Sequence, residues 1–193
     1  ADYMSVEIDT IREYSPRKDI PITTNFMGRF YGIDYRVLAK KIDAISWDSY
    51  PAFHNDYESY ADTMLSAAFD NAIMRSMKKD KPFLLMESAP GLVNWMQYNK
   101  VKRPGVHEQF AMQTIACGSD SVQYFQIRKS RGAAEQFHGA LIDHIGTNDT
   151  RIYKEVAKTG EALAKLAEVE GSLKRNDAAI IFEWDNWWAI DGA

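Results

Sequence analysis

The chain has 193 residues, 46% of them hydrophobic and 26% charged, with a formal net charge of −4. That balance excludes a disordered polypeptide, and 23 Lys+Arg scattered among 27 Asp+Glu leave no basic stripe for nucleic acid. No apolar stretch approaches the roughly 18 residues of a membrane span, so the partner to expect is a small molecule, with neither nucleic acid nor membrane.

The single cysteine, Cys117, excludes an internal disulfide and a multi-cysteine zinc site. It lies in QFAMQTIACG, where a small buried core residue is expected. One cysteine fits a reducing, cytoplasmic compartment.

The chain opens ADYMSVEIDTIREYSP, without an initiating Met or a basic-then-apolar signal segment, and is expected to be a piece of a longer polypeptide. Met4, Ile8, Ile11 and Tyr14 recur at helical spacing and predict an amphipathic first helix. Short apolar runs follow at residues 20–26, 44–50, 82–88, 121–127 and 178–184. FLLM and AIIF are continuous rather than alternating, as in strands covered on both faces of a parallel sheet. Helical patterns separate the runs: YRVLAKKI, YADTMLSAAFDNAIMRSMKK and HEQFAMQTIA. The last, TRIYKEVAKTGEALAKLAEVEG, has Ile152, Val156, Leu163 and Leu166 on one face, Thr150 as cap, a Glu161–Lys165 pair and Gly171 as stop.

This alternation predicts an α/β fold with right-handed parallel crossovers, either a doubly wound sheet or part of an eight-stranded barrel. The polar stretch 167–177 predicts a domain boundary near 172–177.

Glu87 closes the buried run PFLLMES and precedes the turn-prone SAPG, which puts a carboxylate at the C-terminal rim of a parallel sheet, where active sites form. Asp48 and Tyr50 end an earlier strand in the same way, and Trp95 follows on the loop leaving Glu87. After the fourth run, Glu135 and His138 stand three residues apart in a polar loop. Carboxylates beside aromatic faces suit a sugar, and a carboxylate can attack an anomeric carbon. His54, His107 and His144 show no ligand spacing, and the Asn148-Asp149-Thr150 sequon reads as a helix start. There is no G-x-G-x-x-G, phosphate loop or G-x-S-x-G elbow.

PITTNFMG, SWDSYP, FLLMESAPGLVNW, VKRPG and GSDSVQYFQIRKSRGAAEQFHGALIDH, in this order and spacing, resemble the family 42 glycoside hydrolases, β-galactosidases built on a TIM barrel. The resemblance implies a parallel (β/α) barrel fragment, strands five to eight, over residues 1–174, and the start of a second, trimerisation-type domain over 175–193. It further implies that Glu87 is the catalytic nucleophile, that Trp95 borders the galactose subsite and that Glu135 and His138 hydrogen-bond galactose hydroxyls. Tyr50 matches the tyrosine that approaches the nucleophile, and Asn25 carries no assigned role. Ile127 stands where the family usually has Trp.

The family's acid/base is the Glu of an Asn-Glu pair on the fourth strand, and no Asn-Glu occurs in this sequence. The chain alone is therefore expected to be inactive, and the family's cysteine-ligated zinc lies upstream, so neither cofactor nor metal is expected. A half barrel has two open edges, which predicts a homo-oligomer; the intact family forms trimers. The alternatives are another TIM-barrel glycosidase or a non-catalytic sugar-binding α/β module.

Overall fold

The structure is a computed structural model that describes residues 2–53 and 55–192; His54 lies outside the described residues. In chain order the elements are α1 (Asp2–Tyr14), β1 (Asn25–Phe26), α2 (Tyr35–Ala39), β2 (Ser46–Asp48), α3 (Tyr60–Ser76), β3 (Phe83–Glu87), α4 (Val106–Ala116), β4 (Ser119–Val122), α5 (Arg151–Ala164) and α6 (Trp184–Asp191). Short 3₁₀ turns occupy Ala134–Phe137 and Ala167–Val169. Capping explains several helix starts: the side chains of Asp34, Ser59 and Thr150 accept the backbone N–H of Arg36, Asp62 and Tyr153.

The four strands form one parallel sheet in the order β1-β2-β3-β4. A doubly wound sheet reverses its order at a switch point. Here the order follows the chain without reversal, so the barrel arrangement is the one adopted.

The strands are shorter than the apolar runs that announce them, because side chains take over from the backbone ladder at their ends. Asp43 accepts the Ile22 N–H at 2.6 Å, and the Thr23 hydroxyl donates to the Ala44 carbonyl at 2.7 Å. The segment 20–24 is thus tied to its neighbour without being paired strand.

One face of the sheet packs on the helices through Phe26, Trp47, Phe83 and Leu85, in a buried cluster with Tyr35, Met74 and Phe110. Strict alternation from Phe83 and Leu85 would send Glu87 into that same cluster. It does not, because the pairing of β2 with β3 slips: Trp47 faces Leu85, but Asp48 faces Glu87, leaving Met86 as an extra residue. This bulge turns Glu87 onto the face of Asp48 and Asn25.

Several expectations are corrected. The run 178–184 is not a strand: residues 178–183 are irregular and Trp184 begins a helix. Trp184, Trp187 and Trp188 stand at i, i+3 and i+4, a helical period, and no strand lies beside Ile181, which is 95% exposed. The helix docks by its aromatic face: Trp188 Nε1 donates to the Tyr31 carbonyl at 2.7 Å, and Trp184 packs edge-on to Tyr35 at 6.1 Å between ring centres. Arg36 ion-pairs with Glu183 and Asp185 beside it.

Cys117 is not a core residue but a half-buried C-cap of α4, its carbonyl accepting from Arg75 at 2.6 Å. On α1 only Ile8 is buried; Ile11 and Tyr14 are exposed. On α5 the expected Glu161–Lys165 pair does not form, and the i,i+4 pair is Arg151–Glu155 at 2.8 Å. That helix stops at Ala164, and Gly171, with φ of +71°, ends the 3₁₀ turn beyond it.

Among the described residues, β1 and β4 each have a strand on one side only. The chain by itself is therefore expected to self-associate through these edges, with a mass in multi-angle light scattering that rises with concentration; a single monomeric mass throughout would contradict this.

Candidate active site at the carboxyl ends of the strands

Glu87 is the last residue of β3, and its carbonyl accepts the Ser49 N–H at 2.9 Å, so the backbone on both sides of the bulge is held. Its carboxyl is fixed by two neutral donors. The Tyr50 hydroxyl donates to Oε2 at 2.8 Å, and the Asn25 amide donates to Oε1 at 3.3 Å. The same Asn25 nitrogen donates to Asp48 Oδ2 at 2.7 Å. No ion pair among the described residues involves Glu87, Asp48 or Glu135.

Tyr50 is the hub. Its ring meets Trp95 edge-on at 5.5 Å and His138 edge-on at 5.8 Å, and His138 in turn meets Phe125 at 4.9 Å. Burial, then the carboxylate of Glu87 and the charges of Asp48 and Glu135, push the Tyr50 phenol above its ordinary range, so it stays a donor. Burial and the charge of Glu87 also raise the Asp48 carboxyl to about 6.

All five residues singled out from the sequence therefore converge. Glu87, Trp95 and His138 touch Tyr50 directly, and Glu135 lies close enough to act on it through its charge. Trp95 is 51% exposed and offers a face to solvent, whereas His138 is 1% exposed. His138 Nδ1 lies 3.1 Å from the Gly139 carbonyl, which only accepts, so Nδ1 carries a hydrogen. Beside these residues a cleft of about 1000 Å³ runs from Asp48, Tyr50 and Trp95 towards Arg29 and Trp187. Among the described residues no group of three or more His, Cys, Asp or Glu side chains is arranged to hold a metal.

A carboxylate at the end of a parallel strand, aligned by neutral donors and bordered by aromatic rings, is chemically suited to attack a sugar carbon. The profile of glycoside hydrolase family 42, described as β-galactosidase, matches residues 1–166. The chain belongs to this family. It is 50% identical over 97% of its length to β-galactosidase GanA of Bacillus subtilis. The structure of Gan42B, a family 42 β-galactosidase from G. stearothermophilus, superposes on the whole chain with a TM-score of 0.94 and 49% identity. The cold-adapted β-galactosidase of Rahnella sp. R3 does so with a TM-score of 0.92 and 46% identity. The chain spans 28% of the length of each of these three relatives. Its four-stranded parallel sheet is thus part of the family's TIM barrel.

The loops that carry Trp95, Glu135 and His138 are stitched to each other. Gly139 N–H donates to the Leu92 carbonyl at 2.8 Å, and a Cβ on Gly139 would stand 2.5 Å from that oxygen, so only glycine fits. Asn94 donates to the Ala134 carbonyl beside Glu135. Behind them the buried Lys102 ammonium donates to the carbonyls of Ala89 and Gly91, while Arg151 donates to the Lys102 carbonyl at 2.9 Å. The segment from Glu87 to Trp95 is therefore held from both sides.

Asn25, to which the sequence assigns no role, opens β1 and reaches both Asp48 at the end of β2 and Glu87 at the end of β3. His107 and His144 lie away from the cluster: His144 Nε2 is 2.9 Å from the Ser130 carbonyl, and His107 is buried against Tyr124 and Thr159.

Burial, with the nearby charge of Lys102, lowers His107 to about 4. The unfolded chain takes up this proton near pH 6.5 and the folded chain only near 4, so folding stability is lost as pH falls through that window. The urea midpoint should drop from pH 6.5 to pH 4, and His107→Phe should flatten that drop; an equal slope in the variant would contradict the assignment.

Proposed function

We propose that the protein is a retaining β-galactosidase and that this chain supplies its nucleophile and much of its galactose subsite. The observation that carries the reading is the Glu87 carboxyl, positioned by Tyr50 and Asn25 at a strand end, in a chain of family 42. In the first displacement a Glu87 oxygen forms a bond to the anomeric carbon of a terminal β-galactoside as the bond to the leaving oxygen breaks. A second carboxyl, outside residues 1–193, gives that oxygen its proton. It then takes a proton from water, whose oxygen displaces Glu87 and restores the β configuration. Retention requires the two carboxyl groups to stand roughly 5–5.5 Å apart.

The remaining residues bind. Trp95 offers an apolar face to the C–H surface of the sugar, and Glu135 and His138 hydrogen-bond its hydroxyls. The unpartnered Glu135 Oε2 is suited to that task, since a buried carboxylate oxygen without a donor gains most from a hydroxyl that brings one.

In the full-length protein, Glu87→Gln should lower kcat on a nitrophenyl β-galactoside by about 10³-fold or more. With Glu87→Ala, azide should restore turnover and release the α-galactosyl azide; persistent activity or a β product would refute the assignment. Residues 1–193 alone should not turn the substrate over.

A further inference from the structure

The Asn25 amide stands between two carboxyl groups, 2.7 Å from Asp48 and 3.3 Å from Glu87. We propose that Asn25 and Asp48 form a positioning couple for the nucleophile, in which Asp48 locks the Asn25 amide so that its second hydrogen is aimed at Glu87 Oε1. The proposal deepens the retaining-glycosidase reading and rests on it for its consequence in catalysis.

Three observations lead to it. An asparagine amide turns about a broad terminal torsion, so nothing in its own chemistry would keep an N–H pointed at Glu87. The shorter bond to Asp48 supplies that constraint, and both neighbours being carboxyl oxygens fixes nitrogen, not oxygen, on this side. Asp48 ends β2 directly opposite Glu87 across the bulge, and with its other oxygen, Oδ1, buried without a partner, the bond to Asn25 is the one its carboxyl makes among the described residues. Burial and the neighbouring Glu87 raise the Asp48 carboxyl, so it gives up its charge to a falling pH sooner than an ordinary carboxylate.

The couple acts on Glu87 with two opposite effects. The Asn25 N–H stabilises negative charge on Glu87, while a charged Asp48 opposes it. Among the described residues, the other groups facing Glu87 are Tyr50, which donates to Oε2, and beyond it Glu135 and His138. None of these changes in variants confined to Asn25 and Asp48.

The test uses the full-length protein, with Asn25→Ala, Asp48→Ala, the double variant and the isosteric Asp48→Asn compared to wild type by kcat and KM on a nitrophenyl β-galactoside. Asn25→Ala and Asp48→Ala should each lower kcat by roughly 10- to 100-fold with little change in KM, and the double variant should fall no further than the lower single. Asp48→Asn keeps an acceptor for Asn25 and should retain most of the wild-type kcat. Losses that add in the double variant, or equal losses in Asp48→Asn and Asp48→Ala, overturn the couple. Should Asn25→Ala fail to fold, Asp48→Ala against Asp48→Asn alone decides. Should wild type not cleave the galactoside, the activity reading falls, and the Glu87 side-chain conformation in crystals of Asp48→Ala against wild type, displaced in support and unchanged in refutation, still judges the couple.

Discussion

The site depends on the slip in the pairing of β2 with β3. Between Trp47 and Asp48 the partner strand advances two residues instead of one, and that extra residue, Met86, reverses the alternation just before Glu87. Without it the carboxyl would point at Phe83, Leu85 and the helices, where an unpaired carboxylate is costly to bury. With it, Glu87 joins Asp48 and Asn25 on the other face, while a second shift, between Phe83 and Leu85, lies in the pairing with β4. The apolar packing of β3 and its polar terminus are thus both satisfied by one strand of five residues, Phe83–Glu87.

The character of the donors around Glu87 then matters. A lysine or arginine against the same oxygens would form an ion pair and draw charge away from the attacking atom. Among the described residues the donors are a phenol and an amide, which orient without neutralising. Lys102, a cation on the same loop, is turned inward onto the carbonyls of Ala89 and Gly91, where it supports the chain rather than the carboxyl.

Much of this was legible from residue type and place. Glu87, Tyr50, Trp95, Glu135 and His138 are all polar or aromatic groups where apolar runs give way to turns, and the structure gathers them about one ring. Other features were not legible for physical reasons. The bulge at Met86 uses neither glycine nor proline, so the run FLLME reads as an ordinary strand. Asn25 sits in TTNF among residues that bond to the next strand by side chain, and nothing local marks its reach to Glu87. The last run misled because Ala178–Phe182 has strand composition without a neighbouring strand, while the W-x-x-W-W spacing beyond it already carried a helical period. Cys117 looked like core because its flanks are apolar, but it falls where α4 ends.

The docking of α6 has a consequence for how the chain end behaves. Residues 171–181 are exposed throughout, yet Trp184 beyond them is buried in the same cluster as Tyr35. The aromatic anchor is therefore tethered by a short, loosely held link. When it lifts off Tyr31 and Tyr35 it gains no freedom to diffuse away, and the link keeps it at a high effective concentration near its seat. Re-docking is then a local event, guided back by the Tyr31 carbonyl and the Arg36 guanidinium.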